Sequence, residues 1–475
     1  MTSDSPTTHG SPTTRSRRTR HVRVLALGAA TAVAAAGLGA CAPNSGVPGD
    51  DPDQTVLRYW MWDSSQLPGH RQCAADFEDR NPDIHINLEQ YGWDDYWTQI
   101  TASMAAENAP DIFVDHTSQF GKYASLGQIL DLQTYVDADN YDLDQFQPGL
   151  AGQWLGEDGR SRYGIPKDWD TVGVFYNTDM VRAAGYSDED LWNLSWNPED
   201  GGTYEKFLAH MSIDQNGVRG DEPGFDKNRV TTYGLGYNQA GSGYGQVQWA
   251  AFALSNGGWR WIDQNPWGRH FNYDDPHFQD TIGWYRSLIE KGYMPSLAQA
   301  VSGVGTLESL GSGGYATIIE GSWNVSNVLN STQVPVQVAP TPIGPDGHRA
   351  TVMNGLADSV WVGTKHPEEA WRFIKYMGSQ DCQDVIAQQA VVFPAISSSS
   401  EKAVKAFEDK GMEARAFSIQ VEQRTGVTSP VVDRWAQMDS IMNPAMAAVM
   451  AFQADPSSLS AANQRVNDMM ARDRE

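Results

Sequence analysis

Between Arg162 and Asn177 the chain reads as extended backbone interrupted by a polar knot. Val172, Val174 and Tyr176 alternate on one face of a strand. Just upstream, Lys167, Asp168, Trp169 and Asp170 set one ammonium, two carboxylates and an indole within four residues. An ordinary surface turn can carry such a run. So can a strand that leaves one lobe, lines a ligand cleft and enters another lobe. The second reading constrains the fold far more, and the rest of the chain favours it.

The N-terminus has the form of an export signal. Arg15, Arg17, Arg18, Arg20 and Arg23 make a basic segment, and Val24 to Gly37 is an Ala-rich apolar run too short for a comfortable membrane span. Leu38-Gly39-Ala40-Cys41 follows and resembles a lipobox, so residues 1–40 are expected to be removed and Cys41 to carry lipid. Residues 41–53 then form a flexible tether. Ser16-Arg17-Arg18 hints at twin-arginine export, but the following Thr19-Arg20-His21 lacks the apolar pair expected there. Removing five arginines and Asp4 from 34 basic and 59 acidic residues leaves 29 against 58, a net charge of −29. Such a surface repels nucleic acid and anionic headgroups. The expectation is an exported, monomeric body held at the outer face of the membrane by its lipid.

Residues 54–475 exceed what one core organises, which predicts two domains. Two cysteines remain, Cys73 and Cys382, each in a helical-looking stretch. They are either buried thiols or a disulfide, and an oxidising compartment favours the disulfide. It would close a loop of about 310 residues and bring early and late chain into one lobe.

The order of elements predicts an α/β fold. Strands at Gln54–Trp62, Ile84–Leu88 and Ile112–Val114 alternate with helices, the pattern of parallel strands with crossover helices. Ligands of such sheets sit beyond the carboxyl ends of the strands. Trp62-Asp63, Tyr91-Trp93-Asp94 and Asp115-His116 all fall there, with Asp94 a candidate helix cap and Trp97, Ile100 and Met104 one helical face. Tyr315–Ile319 is a further strand ending in Glu320-Gly321-Ser322-Trp323, and Asp358–Val362 another. Residues 401–475 read as helical throughout. Asp214–Glu222 echoes a calcium loop but lacks its third spaced acid and terminal Glu, and reads as an acidic turn. His116 has no second His or Cys at ligand spacing, so no metal is expected, and no cofactor.

An ordered set of motifs extends from about residue 54 to 450. It comprises Asn81-Pro82-Asp83-Ile84, Ala109-Pro110-Asp111-Ile112-Phe113, Tyr163-Gly164-Ile165-Pro166, Phe175-Tyr176-Asn177, Glu320-Gly321-Ser322-Trp323, Asn354-Gly355-Leu356 and His366-Pro367-Glu368-Glu369-Ala370-Trp371. With the lipobox, these resemble the extracellular solute-binding proteins of carbohydrate ABC importers, the family that includes maltose-binding protein. The resemblance implies a two-lobed periplasmic-binding-protein-like fold of type II, each lobe a mixed, mostly parallel sheet flanked by helices. Lobe 1 would be 54–168 plus 351–391, and lobe 2 would be 171–350 plus 393–475. The chain would cross near 167–171, return near 349–354, and cross again near 391–395. By the same resemblance Asp170 takes the place of a carboxylate that binds sugar hydroxyls, and Trp323 that of an indole stacked on a sugar ring. A permease is the implied partner.

These residue types suit a sugar. A pyranose has apolar C–H faces for aromatic rings and a belt of hydroxyls that both donate and accept. The candidate ligand set is Trp62, Asp63, Trp93, Asp94, His116, Lys167, Asp168, Trp169, Asp170, Tyr244, Trp249, Trp323 and Asn354. A glycosidase built on Asp168 and Asp170 is the rival reading. Two acids two residues apart on extended backbone point the same way and do not flank a bond from opposite sides. No enzyme activity is expected.

Overall fold

The computed structural model describes residues 54–472, apart from 239, 241, 332 and 333. The export signal, the Cys41 lipobox and the tether lie outside the described residues. Among those described, no helix is long and apolar enough to cross a membrane.

The strands are β1 (Thr55–Met61), β2 (Ile84–Gln90), β3 (Ile112–His116), β4 (Ile165–Asn177), β5 (Ile213–Asp214), β6 (Val230–Leu235), β7 (Tyr315–Gly321), β8 (Val336–Ala339), β9 (Thr351–Val360), β10 (Phe393–Pro394) and β11 (Gly426–Thr428). They run in the order β2-β1-β3-β9-β4-β7-β6-β5, with β8 and β10 also on β4 and β11 on β9. Parallel pairing joins β1 to β2 and β3, β6 to β7, and β9 to β11. Every partner of β4 is antiparallel to it. The sheet is therefore mixed, and its centre is antiparallel where mostly parallel pairing was expected.

All thirteen residues of β4 are buried. A strand covered on both faces along such a length has to serve two packing layers. Its first part, Ile165 to Thr171, pairs with β9; its second, Val172 to Asn177, pairs with β7 and β8. Three chain passes meet where the partners change. Asp170 lies opposite Asn354, Trp169 opposite both Gly355 and Phe393, and Asp168 opposite Pro394.

Helix α1 (Leu67–Arg80) buries His70, Cys73, Ala74 and Phe77, a stripe at i, i+3, i+4 and i+7. Helix α2 (Trp93–Ala105) is capped by Gly92, so Asp94 is in its first turn and is not the cap. Its core face is Tyr96, Ile100 and Met104. Trp97, expected on that face, is rotated one residue away and half-buried. Helix α3 (Thr117–Ser125) begins at His116, whose side chain accepts from the Ser118 amide. The C-terminal region is not helical throughout: Arg424 adopts a positive φ of 59°, and β11 follows before helix Trp435–Met450. The β-branched Val427 and Thr428 fit a strand better than a helix.

One core gathers Leu57, Ile84, Ile112 and Phe373 and continues past the change of partners through Phe175, Ile318 and Val338. A second holds Trp196, Phe252, Trp261, Tyr285 and Met442. A third packs Trp60, Tyr96, Phe113, Phe120 and Trp154. Cys73 and Cys382 are joined, with Cα atoms 5.3 Å apart, which ties α1 to helix Gln380–Gln389.

Candidate functional site

Asp170 is the centre of the candidate site. Its Oδ1 accepts from Asn354 Nδ2 at 2.8 Å, and Asn354 Oδ1 accepts from Ser429 Oγ at 3.3 Å. Ser429 in turn meets the Thr117 hydroxyl at 3.1 Å, at the start of α3. Burial pushes the Asp170 carboxyl well above its usual range, and the Asn354 bond and the Lys167 charge act against that rise. Asp63 and Asp168 raise it further by charge repulsion. The Asp170 charge also adds to burial in raising the phenol of Tyr244, a member of the second core.

Lys167 and Asp168 form a buried ion pair, and Lys167 Nζ also donates to Gln66 Oε1 at 2.6 Å. Burial raises the Asp168 carboxyl, while Lys167 pulls it down. Among the described residues, its Oδ1 has no hydrogen-bond partner. Asp63, at the end of β1, accepts from the Ser65 amide at 2.8 Å and from Gln66 Nε2 at 3.0 Å.

Beyond the ends of β1 and β3 lies an aromatic wall. The Trp62 ring sits 5.1 Å from Trp93, 5.3 Å from Trp97 and 6.3 Å from His116. Trp93 is 44 % exposed and so presents ring surface to solvent. Asp94 is exposed beside it. His116 is buried, and that burial lowers its imidazole to about 4, so it is a neutral cap acceptor for α3.

On the other side of β4, Gly321 pairs with Val172, two residues beyond Asp170. The half-buried Trp323 ring folds back over Gly321, where an added Cβ would lie 2.0 Å from the indole. Glu320 is buried, accepts from Asn238 Nδ2 at 2.8 Å, and is raised by burial.

Three candidates belong to the core instead. Trp169 is 1 % exposed, stacks on Phe393 at 4.6 Å and donates from Nε1 to Ser400. The strand alternation that turns Asp168 and Asp170 one way turns Trp169 the other. Trp249 is fully buried against Phe278 and Trp259. Tyr244 is buried in the same core as Trp249, edge-on to Trp435, and its hydroxyl donates to Gln246 Oε1. Asp214 uses its oxygens to close its own turn, accepting from the amides of Asn216, Val218 and Asp226. Gln66, Trp97, Asn238 and Ser429 enter the site though sequence reading did not select them. Of these, only Trp97 carried a signal, its place four residues after the strand-end Trp93.

A model of bacterial extracellular solute-binding proteins matches residues 72–414. A lactose-binding protein of Rhizobium radiobacter is 25 % identical over 152 residues, 30 % of this chain and 33 % of that protein. The chain thus spans about a third of the length of that relative. An ABC substrate-binding protein of Listeria monocytogenes, solved in complex with cycloalternan, superposes with a TM-score of 0.73 at 18 % identity, covering 88 % of this chain and 99 % of that one. The sugar-binding protein MalE of Xanthomonas citri gives 0.70 at 22 %, covering 88 % and 98 %. The fold is that of the two-lobed periplasmic binding proteins.

Proposed function

Because this chain belongs to the bacterial extracellular solute-binding proteins, we propose that it captures an oligosaccharide or glycoside for an ABC importer. The observation that carries this reading is the convergence on Asp170. That carboxylate holds Asn354, lies two residues before the Val172–Gly321 pairing that leads into Trp323, and is coupled by charge to Asp63 beside the Trp62–Trp93 wall. Rings supply C–H-stacking faces, and the carboxylates and amides meet hydroxyls. The cycloalternan complex of the Listeria relative and the lactose named for the Rhizobium one support a saccharide over other polar solutes.

In this proposal lobe 1 comprises 54–168 and 351–391, and lobe 2 comprises 171–350 and 393–475. Saccharide bridges them, the crossing strands flex, and the closed form docks on a permease. Cys41 carries the lipid that keeps the protein at the membrane, where it works as a monomer. A hydrolytic role is disfavoured by the acids themselves: Asp168 is paired with Lys167, and Asp170 is held by Asn354.

Titration calorimetry with lactose, maltotriose, mannobiose and cycloalternan tests the proposal. One site with a dissociation constant of about 1 μM or tighter is expected for at least one of them. Silence with every neutral saccharide, alongside binding of a peptide or a metal ion, would overturn it.

A further inference from the structure

Gln66, His70 and Cys73 are spaced i, i+4 and i+7, which aligns them along one face at the start of α1. All three are buried. The far end of the stripe is the disulfide to Cys382. The near end is Gln66, which accepts the Lys167 ammonium. On the opposing helix, Gln380–Gln389, the residue after Cys382 is Gln383, 1 % exposed. Its Nε2 donates to the Lys167 carbonyl at 2.9 Å and to the Met377 carbonyl at 3.1 Å. Its Oε1 accepts from the Ile396 amide at 3.2 Å. The Lys167 carbonyl accepts as well from the Ala395 amide at 3.1 Å.

Lys167 is therefore gripped from two sides, by its ammonium from α1 and by its carbonyl from the second helix. The disulfide bolts those two helices together one residue from Gln383 and two turns from Gln66. They pack closely there: a Cβ on Gly69 would come within 2.9 Å of Ile386 Cδ1. The gripped residue pairs with Asp168 and is followed by Asp170 three positions on, while Ile396 lies just past β10, the third pass beside them. Side chains at a binding site hold their geometry only when the groups behind them are locked.

We propose that Gln383 is a positioning residue for the binding site, and that the Cys73–Cys382 disulfide is the clamp that keeps it in register. The inference rests on the saccharide reading for its ligand, but the clamp has a signature that needs none. Without the Gln383 amide, the Ile396 N–H loses its Gln383 acceptor and the Lys167 carbonyl is left with the Ala395 amide, so local opening of the crossing becomes easier.

The experiment compares the full-length body of the wild type with Gln383→Leu, with the double variant Cys73→Ala/Cys382→Ala, and with Leu288→Ala as a destabilised control from the second core. Amide exchange by mass spectrometry and saccharide titration are measured on each. Both clamp variants should exchange roughly tenfold faster in peptides spanning 165–171 and 393–397, and at the wild-type rate in β7. They should bind the preferred saccharide about tenfold more weakly, with stoichiometry still near one. Leu288→Ala should lower the melting temperature and change neither readout. The proposal falls if the clamp variants behave like Leu288→Ala, or if exchange quickens and affinity stays within about twofold. Should the wild type bind no saccharide at all, the proposed function fails and exchange alone decides the clamp: unchanged rates overturn it, and localised acceleration upholds it.

Discussion

At the residue scale the tryptophans divide into two groups by what surrounds them. Trp249 is enclosed on all sides by Phe278, Trp259 and Tyr273, and Trp323 is half-open over Gly321. Trp249→Ala is expected to cost about 3–5 kcal/mol of stability, the usual range for emptying a large core site. Trp323→Ala should cost much less stability but weaken saccharide binding by at least about tenfold. Urea unfolding and calorimetry on the pair check this; equal losses in both properties would show that the two indoles do the same job. The titrating groups give a second contrast. His116 is lowered to about 4 by burial, against about 6.5 in an unfolded chain. As pH falls from 6.5 toward 4 the unfolded state takes up the proton first, so stability is lost, by up to about 3 kcal/mol. Asp115 acts in the opposite sense. Burial raises it to about 8, so the stability it contributes is full below about pH 4 and fades as pH rises through 8. His116→Asn keeps a cap acceptor and should therefore narrow the gap between melting temperatures at pH 5 and 7. Asp115→Asn should raise the melting temperature at pH 8 relative to wild type. Thermal melts followed by circular dichroism read both.

At the element scale, β7 and its turn show how a backbone choice places a side chain. Gly321 leaves room for the Trp323 ring to fold back against the strand end. In Gly321→Ala the added methyl occupies that space, so the indole must swing away. Affinity should fall about tenfold with little change in melting temperature, and a variant that binds like wild type would remove Trp323 from the ligand's path. Much at this scale was legible beforehand. The first three strands, the aromatic and acidic residues at their ends, and the strand into Gly321-Ser322-Trp323 follow from periodicity and turn residues. The disulfide followed from compartment and count, and the structure joins Cys73 to Cys382. What stayed hidden depends on rotation or on distant partners. Trp169 looked equivalent to Asp168 and Asp170, because local sequence does not say which face of a strand meets Phe393 from over two hundred residues away. Trp97 looked like core because helical spacing fixes a face only to within a residue, and here the face follows Tyr96. Ser429 and Gln66 are polar residues without a motif, and only tertiary folding brings them to Asn354 and Lys167.

At the scale of the whole molecule, β4 joins the two halves of the sheet, pairing with β9 and β10 along its first part and with β7 and β8 along its second. Loop contacts outside the sheet join distant parts of the chain. Trp267 Nε1 donates to the Leu155 carbonyl at 2.8 Å, and Arg269 pairs with Glu157 at 3.0 Å. That ion pair is partly exposed and contributes little by itself. One saccharide is expected to lie against the Trp62–Trp93 wall and against Trp323 at the same time. Hydroxyl-radical footprinting, read by mass spectrometry with and without the tightest-binding oligosaccharide, tests it most directly. Trp93 and Trp323 should both be protected by the same ligand, while the buried Trp249 stays unreactive throughout. Protection of only one of the two, or of neither at saturating ligand, would mean that no saccharide bridges the wall and Trp323.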